Sequence, residues 1–311
     1  MKDEDRQVLS AQGRERRHCA ARQASCFRAS LPDILVRSNL PAVTGIFFHS
    51  LPETVMTQDR LAIYPSLKDK VVFITGGGSG IGASVVEGFV RQGAKVGFVD
   101  IDESASKELV RKLEGTGRAP RFIRCDVRDI GQLRAAIKAT QSESGDIGVL
   151  VNNAARDDRH SIESVTVEFW DERIAVNLRH QFFASQAVVD QMKRLGGGSI
   201  INFGSISWMT ATGGMPAYTT SKAAVHGLTR GLARDLGPFN IRANTVSPGW
   251  VMTERQKKLW VTPEGEKQMD ALQCLKGRLQ PEDLANMVLF LASEDAKMIT
   301  SQNFVVDAGW T

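Results

Sequence analysis

The chain has 311 residues, 42% of them hydrophobic, enough apolar material for a substantial core, so a folded globular protein is the default. Its net charge is only +4, and residues 1–55 supply half of that with eight basic against six acidic side chains, which leaves too little on the remainder to bind nucleic acid. Cys19, Cys26, Cys125 and Cys274 lack the paired close spacing of a zinc site and are too few for a disulfide framework, so free thiols in a reducing compartment are expected.

Residues 1–60 show no sustained period. They mix Arg14, Arg16, Arg17 and Arg22 with Asp3, Glu4 and Asp5, and read as an N-terminal extension. Three origins fit: translation beginning at Met56, a disordered or loosely docked arm, or an organelle transit peptide, against which the acidic start argues. No stretch approaches the ~20 apolar residues of a membrane span, and no charged-then-apolar leader opens the chain. A soluble, cytoplasmic protein is expected.

The remainder, 61–311, reads as one domain. From Lys70 onward short apolar runs alternate with helix-period segments: Val71 to Thr75, Lys95 to Asp100, Arg121 to Val127, Val149 to Asn152, Ser199 to Phe203, Arg242 to Val246 and Asn303 to Val306. Runs such as Val-Val-Phe-Ile and Val-Leu-Val are continuous rather than alternating, as strands buried on both faces of a parallel sheet require. The expectation is an α/β fold with a doubly wound, parallel, seven-stranded sheet of the Rossmann type.

The first strand runs into Thr75-Gly-Gly-Gly-Ser79-Gly80-Ile81-Gly82, and a helix-like segment follows at Ala83. Glycines let the backbone turn sharply and approach a pyrophosphate, while the helix N-terminus offers free N–H groups and a positive dipole end. Gly76, Ser79, Gly80, Ile81 and Gly82 are therefore candidate dinucleotide contacts. About 20 residues on, where this motif calls for an acid, the second strand ends in Asp100, which can accept both ribose hydroxyls and repel a 2′-phosphate. Ile101 and Asp102 follow, with no basic residue at 77–79, so NAD is expected over NADP. Asp126, beside Val127 at the end of the third strand, fits either a helix cap or a contact to the adenine amino group.

Tyr218 and Lys222 stand four apart in Tyr-Thr-Thr-Ser-Lys at the start of an Ala-rich helix, so they share a face. Tyr218 is one of two tyrosines, thirteen residues after Ser205, which lies just past the fifth strand at the carboxyl edge where such sheets bind ligands. An adjacent ammonium favours the phenolate and brings a phenol of ordinary pKa about 10 toward the working pH. Tyr218 can then take a hydroxyl proton while hydride leaves the same carbon, with Ser205 holding the substrate oxygen in line. Asn177, polar among apolar neighbours, fits a helix kink, a buried amide or a proton relay, and beside the other three the relay is preferred.

Thr75-Gly-x-x-x-Gly80-x-Gly82, Asn152-Asn153-Ala154-Ala155, Asn177, Ser205, Tyr218-x-x-x-Lys222 and Pro248-Gly249-x-x-x-Thr253 occur in the order of the short-chain dehydrogenase/reductase family, which residues 68–311 resemble throughout. The resemblance implies that Lys222 also binds the nicotinamide ribose, that Asn153 supports the central strand and cofactor, and that Val251 and Thr253 meet the carboxamide and phosphates. Ala154, Pro248 and Gly249 complete this cofactor set together with Ile101 and Val127. Ala155 departs from the usual glycine.

Further stretches resemble bacterial NAD-dependent aldose 1-dehydrogenases, the D-xylose 1-dehydrogenases in particular: Asp157-Asp-Arg-His160, Asn177-Leu-Arg-His180, Phe203-Gly-Ser-Ile-Ser-Trp208, Thr262-Pro-Glu-Gly-Glu266, Gln273-Cys-Leu-Lys-Gly-Arg278 and Asp307-Ala-Gly-Trp310. The implied reaction oxidises an anomeric hydroxyl to an aldonolactone; D-xylose, L-arabinose, D-galactose and L-fucose all remain open. Asp157, Arg159 and His160 fit a pocket mouth bonding sugar hydroxyls, or else a solvated loop or subunit contact. Trp208 fits stacking on a sugar face or a place in the core. The resemblance also implies a lid over 253–275 and a homotetramer or homodimer built on the helices of Asn177 and Tyr218. Two other functions compete: a carbonyl or 3-oxoacyl reductase (or other secondary-alcohol dehydrogenase), and a non-catalytic dinucleotide sensor, which loss of Tyr218 or Lys222 would mark. No metal is expected.

Overall fold

Seven strands, the first six each followed by helix, build the sheet in a computed structural model that describes residues 61–311; the expected extension, its candidate start at Met56, and Cys19 and Cys26 lie outside the described residues. In chain order these are β1 (Val71–Thr75), α1 (Gly80–Arg91), β2 (Lys95–Asp100), α2 (Glu103–Lys112), β3 (Arg121–Arg124), α3 (Ile130–Ser144) and β4 (Val149–Asn152). Then α4 (Val167–Ile174) passes through a π-helical turn (Ala175–Arg179) into α5 (His180–Arg194), followed by β5 (Gly198–Phe203), α6 (Pro216–Leu236) and β6 (Ile241–Pro248). Three helices, α7 (Glu254–Leu259), α8 (Pro263–Leu272) and α9 (Pro281–Ala292), precede β7 (Asn303–Val306).

All six pairings are parallel, in the order β3-β2-β1-β4-β5-β6-β7. Alternate residues of β1 explain why its apolar run is unbroken: Val72 and Ile74 pack with Val86, Phe89 and Val288 on the α1/α9 face, Val71 and Phe73 with Leu133, Val188 and Met192 on the α3/α5 face. The chain winds outward from β1 to β3, then returns to place β4 on the other side of β1. A crevice therefore opens where the carboxyl ends of β1 and β4 diverge, the place such sheets offer to ligands.

β3 is shorter than the expected Arg121 to Val127. Its last rung is the Cys125 N–H to the Asp100 carbonyl at 3.0 Å; β2 stops there, and without a partner the chain turns, with the Asp126 carboxylate accepting the Arg128 N–H at 2.9 Å. Inside the sheet a polar ladder crosses three strands. Asn152 donates to Asn202 Oδ1 at 2.9 Å, Asn202 to Thr229 Oγ1 of α6 at 3.0 Å, and Thr245 Oγ1 to the same oxygen at 2.8 Å. Cys125 and Cys274 are free thiols, the first pushed up to about 11 by burial. Among the described residues no helix is long and apolar enough to cross a membrane.

Candidate active site

Thr75 ends β1 at the crevice, and its hydroxyl accepts the Asn153 and Ala154 N–H groups, both at 3.1 Å. Gly76 follows with φ +66°, where a Cβ would come within 2.7 Å of Ala154 Cα; a Cβ on Gly82 would overlap the Gly76 carbonyl oxygen. The glycines are thus required by the close approach of the β1 and β4 ends. Asn153 Nδ2 donates to the carbonyls of Thr75 (3.1 Å) and Gly76 (2.7 Å), pinning the loop from below. Ser79 stands at the N-cap of α1 without a side-chain cap bond, so the helix presents its first N–H groups uncapped. Gly80 opens the helix beneath Thr253, whose hydroxyl caps α7 by accepting the Gln256 N–H at 3.2 Å.

Asp100 is held in place by two main-chain donors, Gly78 N–H to Oδ2 at 2.8 Å and Asp102 N–H to Oδ1 at 2.9 Å. Ile101 is exposed and Val127 buried. Asp126 is not the cap of α3: Asp129 fills that place by accepting the Gln132 N–H at 3.0 Å. Instead Asp126 is ion-paired with Arg128 at 2.6 Å, which holds its carboxyl below the usual range. Arg124, opposite Asp100 in the β2–β3 register and exposed, is a cation that inspection of the residues following Asp100 misses. An uncapped helix start, a glycine turn without room for side chains and a fixed carboxylate at the β2 end together fit a dinucleotide.

Ser205 caps a short 3-10 turn (Ile206–Trp208) by accepting the Ser207 N–H at 3.1 Å, and its hydroxyl hydrogen-bonds the Tyr218 phenol. Lys222, 1% exposed, donates to the Phe203 carbonyl at 2.8 Å and lies 5.6 Å from the Tyr218 ring centroid. Sequence reasoning expected the ammonium to dominate this pair. Burial dominates instead: it drives the phenol up to about 12, with Asp157 adding to the rise and Ser205 and Arg159 opposing it, and drives Lys222 down to about 7 despite Asp157. Both groups are held toward their neutral forms.

Asn177 is fully buried inside the π-helical turn. Its side chain is spent on the main chain of Arg156, accepting that residue's N–H at 2.9 Å and donating to its carbonyl at 3.1 Å, while its own carbonyl accepts from Gln181 Nε2 at 3.1 Å. The kink, the buried amide and a tether to the loop after β4 thus coincide. His180, three residues on and fully buried, sits 3.5 Å from Thr75 Oγ1; burial first and then the Lys222 charge push it down to about 3.

Above Tyr218 a cavity of about 370 Å³ is lined by Ser205, Asp157, Arg159, Met215, Gln256, Gln268, Trp250 and Trp310, with Ile81, Pro248, Gly249, Val251 and Thr253 along the side toward the glycine loop. Asp157 Oδ2 accepts from Gln256 Nε2 at 2.6 Å, and Arg159 lies 5.0 Å over the Trp260 ring with its guanidinium against Met215. Two other expected pocket residues stand elsewhere. His160 accepts the Ala217 N–H on Nε2 at 3.2 Å and pairs through Nδ1 with the Asp158 carbonyl at 2.9 Å. Trp208 donates from Nε1 to His226 Nε2 at 3.2 Å on the flank of α6. Trp250, Gln256 and Gln268 had no motif to betray them. Ala155 is exposed, so its methyl is accommodated.

A family model described as enoyl-(acyl carrier protein) reductase matches residues 76–311. The chain is 55% identical over 249 residues to a D-xylose 1-dehydrogenase of Caulobacter vibrioides, covering 80% of this chain and 98% of that protein. It is 50% identical to a probable galactose dehydrogenase of Rhizobium meliloti, covering 79% and 96%. Among solved structures, a short-chain type dehydrogenase/reductase from Mycobacterium ulcerans superposes with a TM-score of 0.75 at 29% identity, covering 79% of this chain and 90% of that one. A blue fluorescent protein from a metagenomic library, in complex with NADPH, gives 0.73 at 35% identity, covering 79% and 99%.

Proposed function

The chain belongs to the short-chain dehydrogenase/reductase family and is an oxidoreductase, and from that premise we propose that residues 61–311 form an NAD-dependent aldose 1-dehydrogenase converting a cyclic aldose to its aldonolactone. The observation that carries this reading is the Ser205–Tyr218 pair at the floor of a cavity walled by a carboxylate, a guanidinium, two amides and two indoles. The identity to named xylose and galactose dehydrogenases supports it. The loop Gly76–Gly82, Asp100, Asn153, Ala154, Lys222 and Val251–Thr253 would hold the dinucleotide, and Asp100 argues for NAD. Bound there, an oxidised dinucleotide would supply the hydride acceptor and a positive charge.

Ser205 orients the anomeric oxygen toward the Tyr218 phenol oxygen. Tyr218 takes the hydroxyl proton as the C–H electron pair leaves and the carbonyl of the lactone forms. Lys222, fixed on the Phe203 carbonyl, stabilises the ionised phenol while it carries its proton, and Asn177 holds the loop after β4 by anchoring Arg156. Because desolvation holds the proton on the phenol, turnover is expected to rise with pH above neutrality.

The test follows NADH absorbance across D-xylose, L-arabinose, D-galactose, L-fucose and D-glucose with NAD or NADP. NAD-dependent turnover of one sugar, lowered about 10³-fold in Tyr218→Phe with dinucleotide affinity retained, is expected; silence across the panel sinks the aldose reading in favour of ketone reduction. The same reading carries a cytoplasmic homodimer or homotetramer, for which the exposed Val167, Trp170 and Phe182 of α4 and α5 supply an apolar face. Light scattering giving a monomer's mass would refute the assembly.

A further inference from the structure

The chain reaches Trp310 through a strained turn. Ala308 has φ +59° and Gly309 φ +78°, two successive left-handed residues, and an L-alanine held there costs on the order of 1 kcal/mol. The turn is over-determined. Buried Asp307 accepts the Gly309 N–H on Oδ1 at 2.9 Å, and the Thr311 N–H and hydroxyl on Oδ2 at 2.9 and 3.0 Å. On its other side Leu275 N–H donates to the Ala308 carbonyl at 3.0 Å, and a Cβ on Gly309 would come within 2.9 Å of Cys274 Cβ. Clamped between the end of β7 and the loop after α8, the turn delivers the half-buried Trp310 indole to the cavity wall, its centroid 6.4 Å from that of Trp250.

Trp250 is fixed just as firmly. Its Nε1 donates to Gln256 Oε1 at 3.1 Å, Gln256 passes the bond on to Asp157, and Gly265 of α8 lies so close that a Cβ would meet the ring at 2.8 Å. Rigid aromatic faces beside a carboxylate suit a ligand with an apolar C–H face and a rim of hydroxyls. A strained backbone held by this many bonds points to function rather than accident.

We propose that Trp310, together with Trp250, forms the specificity-determining wall of the cavity, stacking on the apolar face of the cyclic aldose while Asp157 bonds hydroxyls at its edge; this rests on the aldose reading above. The experiment measures kcat and KM for the best aldose of the panel, and KM for NAD, in the wild type, Trp310→Ala and Trp310→Phe. The expected result is an aldose KM raised about tenfold in Trp310→Ala, kcat within about threefold, NAD KM unchanged, and most of the loss recovered in Trp310→Phe. An unchanged aldose KM in Trp310→Ala overturns the wall while leaving the aldose reading intact. So does a loss shared with NAD KM and not recovered by phenylalanine, which marks a structural role. A wild type that oxidises no aldose overturns both.

Discussion

Asp100 is the side chain on which the proposed preference for NAD rests. Its carboxylate is held by two main-chain N–H groups, so it stands fixed at the end of β2, where the proposed dinucleotide would place its ribose. Arg124 stands one strand away at the same level, and its charge acts on the nearby Glu103 and Asp126. On that proposal, removing the carboxylate would remove both a ribose acceptor and the repulsion of a 2′-phosphate, and would leave Arg124 to attract it. Asp100→Ala is therefore expected to lower kcat/KM for NAD about tenfold or more, the loss of a charge-assisted bond of about 1.5–3 kcal/mol, and to raise kcat/KM for NADP. Parallel assays with the two dinucleotides check this. An unchanged ratio would mean that Asp100 serves only the loop geometry.

The helices carry information that single motifs do not. α6 begins at Pro216 without a cap from its own N-cap residue, and His160, fifty-seven residues upstream, supplies the acceptor to Ala217. His160→Ala should behave as a lost helix cap, destabilising the protein by about 1 kcal/mol in urea denaturation with little change in aldose KM. A KM rise without a stability loss would return His160 to the substrate. Much of the architecture was legible before the structure, because continuous apolar runs and the glycine turn are local signals; β1, β2, β4 and β7 begin and end where expected. What escaped depends on tertiary placement. His160 and Trp208 follow strand ends as pocket residues do, yet each found a partner on α6, and the cavity walls at Trp250, Gln256 and Gln268 belong to segments after β6 that fold back over the site. The π-helical turn at Asn177 has no sequence signature beyond one polar residue in an apolar stretch.

Across the whole molecule, three titratable groups around one site, His180 and Lys222 buried and Tyr218 at the cavity floor, impose a pH dependence on stability. His180 is pushed down to about 3 and Lys222 to about 7, while Tyr218 is raised to about 12. The two depressed bases leave the unfolded chain binding more protons than the folded one, so stability climbs with pH between about 3 and 6.5 from His180 and between about 7 and 10.5 from Lys222. The raised phenol acts oppositely: its contribution is complete below pH 10 and lost as pH passes about 12. Carrying Lys222 buried at neutral pH is thus a cost the fold accepts to hold an amine beside Tyr218. The urea midpoint of the wild type should therefore keep rising from pH 7 toward pH 10, beyond the range where most domains are at their most stable. Lys222→Met should be more stable than the wild type at pH 7 and should lose the rise above it. A wild-type midpoint flat from pH 7 to 10, or a methionine variant less stable at pH 7, would show that Lys222 keeps its proton in the folded protein, stabilised by Asp157 and the Phe203 carbonyl more strongly than burial opposes it.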